Sequence, residues 1–161
     1  MVATTPGAVE QVVAAAQYLC EKRGGRLTQK RQRVLELLLQ AERPMSAYDI
    51  MDAYNRYADT TIMAMSVYRI LGFLESTHLV HRLHSANKYI ACNYIICSCE
   101  HHTALLLICR SCQHVREIML PTPVVNAISH QAEVTGFEPL GSQLEMSCLC
   151  ENCKKSTKNL Y

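Results

Sequence analysis

The sequence predicts an α+β protein: a helical N-terminal half closed by a β-hairpin, followed by a small α/β unit. Three observations predict it. Apolar residues recur at helical spacing through the first 77 residues, then switch to short strand-like runs. Two C-x₂-C pairs, Cys109-Arg110-Ser111-Cys112 and Cys150-Glu151-Asn152-Cys153, bracket most of the remainder. The 161 residues, with 49% hydrophobic and 19% charged residues, form a globular chain of one domain or two small ones.

Val9, Val12, Val13, Ala16, Leu19 and Cys20 give the first helix its stripe, and Gly24-Gly25 ends it. Thr28 is a suitable N-cap for a second helix, with Val34, Leu35, Leu38 and Leu39 inward and Lys30, Arg31 and Arg33 polar. Pro44 breaks that helix. Ser46 caps a third, with Ile50, Met51 and Tyr54 inward. Met63–Thr77 is a fourth, burying Val67, Ile70, Leu71 and Leu74; Ser66, Arg69 and Ser76 lie opposite, with Tyr68 at the flank.

Strands at Leu79–His84 and Lys88–Cys92 follow, joined by a turn at Ser85-Ala86-Asn87. Three helices and a hairpin, in that order, make a winged helix-turn-helix, here with an extra helix in front. Such a unit places its last helix in the major groove and its hairpin beside the DNA backbone.

The domain boundaries read as 1–91 for the winged-helix domain, 92–102 for a cysteine-rich linker, 103–154 for a second domain and 155–161 for a mobile polar tail. The second domain is expected as strands near Ala104–Cys109 and His114–Leu120, a helix over Pro121–Thr135, and a strand over Glu138–Ser147. The helix should bury Val124, Val125, Ile128 and Ala132, with Gly136 past its end.

Charge is uneven: residues 1–90 carry 11 Lys/Arg against 8 Asp/Glu, and residues 91–161 carry 5 against 6. The excess permits nucleic-acid binding by the first half without requiring it. The N-terminus lacks the basic segment of a signal peptide, and no apolar run is long enough to span a bilayer, so a cytoplasmic location is expected. In a reducing compartment, paired C-x₂-C turns read as a metal site before they read as disulfides.

Four thiolates at Cys109, Cys112, Cys150 and Cys153 suit a closed tetrahedral Zn²⁺ cage. The alternatives are two reduced turns or a disulfide. A closed cage holds a fold and neither senses nor catalyses. No nucleophile elbow, H-E-x-x-H or phosphate-cradling loop is present, so the chain reads as a non-enzyme.

Leu27-Thr28-Gln29-Lys30-Arg31, Ser46-Ala47-Tyr48-Asp49-Ile50, Ser66-Val67-Tyr68-Arg69-Ile70-Leu71 and the two cysteine pairs occur here in one order and spacing. In that order the chain resembles the ferric uptake regulator family of metal-sensing repressors, from about Leu27 to Cys153. It looks most like the zinc uptake regulator branch. Iron-type members carry His-His-Asp-His before the first pair, whereas this chain has His101-His102-Thr103-Ala104.

The resemblance implies a homodimer on a palindromic operator in double-stranded DNA, repressing zinc-uptake genes, with zinc as co-repressor. It implies one structural zinc per subunit and at least one regulatory zinc on His81, Cys92, His102 and Glu117, locking the hinge between domains. That set suits zinc better than a hard cation. It also implies DNA contacts from Tyr48, Tyr68 and Arg69, with Arg31, Thr28 and Ser66 nearby. Arg69 and Tyr48 are the expected base readers, and Arg31 and Thr28 serve phosphates or caps. The rival readings are an iron- or peroxide-sensing member of the family and a zinc-stabilised protein adaptor. Cys97, Cys99, His101 and Cys148 depart from the family pattern and have no assigned role, while Cys20 falls on a core stripe.

Overall fold

The computed structural model describes residues 6–57, 60–97 and 103–158. The chain divides into two compact units, Met1–Ser98 and Cys99–Tyr161.

In the first unit, α1 (Pro6–Lys22), α2 (Gln29–Gln40), α3 (Ala47–Tyr57) and α4 (Ala64–Ser76) precede a hairpin of β1 (Val80–Leu83) and β2 (Lys88–Ala91). α1 ends where expected. Gly24 takes φ +72°, and the amides of Gly24 and Gly25 bond back to Glu21 and Cys20. That is a Schellman cap, and its left-handed position suits a residue without Cβ. Ser46 and Asp49 form a reciprocal capping box at the start of α3. The Asp49 amide donates to Ser46 Oγ at 3.1 Å, and the Ser46 amide donates to Asp49 Oδ2 at 2.8 Å.

Val12, Ala16 and Cys20 of α1 join Val34, Leu35 and Leu38 of α2 and Val67, Leu71 and Leu74 of α4 in one core. Cys20 is fully buried, as its stripe position required. β1 and β2 pair antiparallel, His81 opposite Ile90 and Arg82 opposite Tyr89. Met45 adds a third pairing by exchanging backbone hydrogen bonds with Tyr89 at 3.0 and 2.8 Å. The wing is thereby tied to the lead-in of α3.

The second unit holds β3 (Ala104–Cys109), β4 (Val115–Met119), α5 (Thr122–Val134), β5 (Gln143–Cys148) and α6 (Glu151–Lys158). The strand order is β4-β3-β5, with β3 antiparallel to β4 and parallel to β5. A parallel neighbour needs a crossover, and α5 supplies it.

Three expectations fail here. The last strand starts at Gln143 instead of Glu138, because Pro139 and Gly141 keep residues 137–141 out of the ladder. The polar tail expected over 155–161 is helical as far as Lys158, as the end of α6. The stripe of α5 is not buried: Val124 and Ile128 are 43% and 42% exposed, and no α5 residue is buried. Among the described residues of this unit, no element covers that face.

Candidate metal centre and nucleic-acid interface

The register of β3 against β5 sets Cys109 beside Cys148, which brings Cys150 to the end of β3. Cys112 lies in the β3–β4 turn, where Gln113 takes φ +61° and its amide bonds to the Cys109 carbonyl at 2.9 Å. Cys150 and Cys153 straddle the first turn of α6, whose Lys154 amide bonds to the Cys150 carbonyl. Two strand ends and a helix start therefore converge on one point.

The donor atoms of Cys109, Cys112, Cys150 and Cys153 all lie within 4.8 Å of one another. Cys112 Sγ and Cys150 Sγ are 3.7 Å apart. Zn–S bonds of ~2.3 Å at tetrahedral angles require S···S edges of ~3.8 Å. A disulfide requires ~2.05 Å. The geometry therefore fits a tetrathiolate ion site, and these cysteines are free thiols.

The Cys150 amide donates to Cys109 Sγ at 3.3 Å. The backbone N–H groups of Cys112 and Cys150 draw the Cys109 thiol down to about 6. Cys153 is pushed the other way, to about 11. The Ser111 hydroxyl lowers it, but the side chains of Cys150, Cys112 and Cys109, together with desolvation, outweigh that. One thiolate forms readily, while a cluster without a cation resists further negative charge. A dication removes that conflict. Cys148 is half-buried beside Cys109 but does not join the four.

In the first unit, His81 on β1 faces Ile90, and Cys92 lies two residues past Ile90 on the same face of the wing. Their donor atoms lie within 4.8 Å of each other. Cys92 is buried, its amide bonds to the Leu79 carbonyl at 3.0 Å, and its Sγ accepts the Tyr94 amide at 3.4 Å. An imidazole and an oriented thiol are thus placed where they could supply half of a zinc set. In the second unit, Glu117 on β4 is only 5% exposed, opposite Leu106. A buried carboxylate needs a charged or hydrogen-bonding partner. His102, with Cys99 and His101, lies outside the described residues, whereas Cys97 is described and exposed.

The residues expected to contact nucleic acid fall on the first unit. Tyr48 is 59% exposed, held in the first turn of α3 between the two capping-box residues. Arg69 is exposed on α4, and Tyr68 and Ser66 are half-buried beside it. Thr28 occupies the N-cap of α2 without a side-chain cap bond. Arg31 stacks 3.4 Å from the centre of the Phe73 ring and donates to the Arg26 carbonyl at 2.6 Å. That places its guanidinium in the α2–α4 packing. Sequence reasoning passed over Met63 and Met65 at the tip of α4, which are 76% and 66% exposed. The signal was present, since neither residue falls on the buried stripe.

The family model described as "Ferric uptake regulator family" matches residues 22–147. The zinc uptake regulation protein of Escherichia coli (strain K12) is 32% identical over 145 residues, which is 89% of this chain and 82% of that protein. A solved structure of a zinc uptake regulator complexed with zinc and DNA aligns with TM-score 0.79 and 28% identity, over 93% of this chain and 97% of its own. Holo XcZur aligns with TM-score 0.75 and 33% identity, over 89% and 96%.

Proposed function

The chain belongs to the ferric uptake regulator family, and we propose that within it this protein is a zinc-responsive DNA-binding repressor of zinc-uptake genes. As a member of that family it is a transcriptional regulator, not an enzyme. One observation carries the zinc reading: His81 and Cys92 bring metal donors together on the wing of the DNA-reading unit. A ligand bound there acts directly on the element that lies beside DNA.

The regulatory set is His81 and Cys92 with His102 and Glu117. The buried Glu117 carboxylate and the soft Cys92 thiol support it, because together they suit zinc and not a hard cation. When bound, zinc would supply the dication that this donor set holds. The role of this chain's residues is to favour one conformer. Zinc and DNA both prefer it, so each tightens the other by the same factor. The tetrathiolate site is the separate structural zinc.

The protein acts as a homodimer on a palindromic operator. The half-exposed α5 stripe, with Val134 at 69% and Met146 at 52% exposure in the same unit, supports a second subunit as its cover. Two half-sites also compensate for the weak positive charge of one winged helix. Among the described residues no helix is long and apolar enough to cross a membrane, and a DNA-bound role fits the cytoplasm.

Tyr48 and Arg69 make the base contacts, with Tyr68 and Ser66 near Arg69 on α4, while Thr28 and Arg31 serve phosphates or caps. Arg69→Ala tests this. The variant is expected to keep wild-type zinc content and lose its preference for operator over scrambled duplex. An unchanged preference in the variant would remove Arg69 from the reading face. Equal wild-type affinity for both duplexes would end the repressor reading.

A further inference from the structure

α4 presents more to DNA than its arginine. Its buried stripe is Val67, Ile70, Leu71 and Leu74. Met63, at the N-cap without a side-chain cap bond, and Met65, in the first turn, lie off that stripe at 76% and 66% exposure. Single exposed apolar side chains are ordinary. Two exposed methionines at the leading turn of the helix that reads DNA stand at a defined place. Met65 and Arg69 are four residues apart, so they share one exposed face of α4.

Resting on the DNA-reading function proposed above, we propose that Met65, with Met63 two residues before it at the N-cap, is a specificity-determining residue that reads thymine methyl groups in the operator. The residues at the start of a recognition helix are those that reach base edges. A thioether side chain offers no strong donor and only a weak acceptor, so it distinguishes bases poorly by hydrogen bonding. The thymine C5-methyl is the apolar group on the major-groove base edges. An unbranched, polarizable side chain fits around it without a fixed rotamer. Four residues of helix rise ~6 Å, and base steps on one strand are ~3.4 Å. The methyl read by Met65 therefore lies about two base pairs from the base bonded by Arg69.

Replacing thymine by deoxyuridine removes that methyl and changes no hydrogen bond. Wild-type, zinc-loaded protein first selects its site from randomised duplexes. Each thymine of that site is then replaced singly, and binding is measured for wild type, Met63→Ala, Met65→Ala and Met65→Leu. Circular dichroism and zinc content confirm the fold of each variant.

Wild type should lose about three- to tenfold in affinity at one or two thymines. Met65→Ala should bind the intact site weaker by a similar factor and lose nothing more on deoxyuridine. Met65→Leu should retain the methyl preference. If deoxyuridine costs wild type nothing at every position, or Met63→Ala and Met65→Ala both keep the full loss, the methyl contact is wrong while the DNA-reading function stands. If wild type enriches no sequence, the DNA-reading function itself fails and this inference with it.

Discussion

Replacing Cys112 by serine should unfold the second unit and leave the first intact. Among the described residues, the second unit buries only Ala104, Leu105, Leu106, Ile108 and Cys109 as apolar side chains, and α5 contributes none. Fully burying a leucine or isoleucine is worth about 1.5–3 kcal/mol. Three of them do not hold a three-stranded sheet, a crossover helix and α6 against chain entropy of about 1–2 kcal/mol per residue. A structural zinc contributes on the order of 10–16 kcal/mol in small domains of this kind. A zinc held by these cysteines, where Cys112 Sγ and Cys150 Sγ are 3.7 Å apart, would supply that contribution. Loss of one of four thiolates should remove several kcal/mol, more than this core supplies.

The assay is zinc per chain by elemental analysis, with amide exchange followed strand by strand. Wild type should hold its zinc through dialysis and protect the central strand β3. The serine variant should release one zinc per chain, exchange the β3 amides rapidly and sediment as a monomer. The α2 and α4 amides should stay protected, because those helices pack in a separate core. Full zinc content and protected β3 amides in the variant would refute the argument.

Two further predictions concern the DNA-reading unit. Asp49→Ala, which breaks the capping box at α3, should cost about 1 kcal/mol by denaturant titration. It should also weaken DNA binding through Tyr48, and an unchanged midpoint would deny the box its role. Hydrogen bonds from the Ser46 hydroxyl and amide hold the Asp49 carboxyl below the usual range. Its contribution is therefore present above the unfolded value of ~3.9 and disappears as pH falls through the lower folded value. His78→Gly should stabilise the first unit by about 0.5–1 kcal/mol. His78 sits at φ +58° in the Schellman cap of α4, with its amide on the Glu75 carbonyl and that of Leu79 on Leu74, both at 2.9 Å. A left-handed L-residue costs ~1–2 kcal/mol, partly offset by the chain entropy of glycine. A lower midpoint would show that the histidine earns its place by contacts the backbone argument ignores.

Local signals carried the first unit. Gly24, Ser46 and the apolar stripes of α2 and α4 act over three to seven residues, and each element formed where they indicated. The tetrathiolate was equally legible, because two C-x₂-C turns declare both the ligand type and the spacing. α5 was not, since helical periodicity says that a face is apolar without saying whether its own chain covers it. The pairing of His81 with Cys92 depends on hairpin register, which one residue of slip would have destroyed. It came from the family resemblance and not from spacing. The Met63 and Met65 pair was visible as residues off the buried stripe, but its meaning needed their exposure.

The proposed regulator carries one zinc that holds the fold and another that governs DNA binding. The most direct test counts zinc per chain before and after mild chelation, with operator affinity and circular dichroism measured on the same samples. Two zincs should fall to one, operator binding should collapse, and the fold should remain; Cys92→Ser should start in that one-zinc, weakly binding state. Undiminished operator binding with a single zinc would contradict the account.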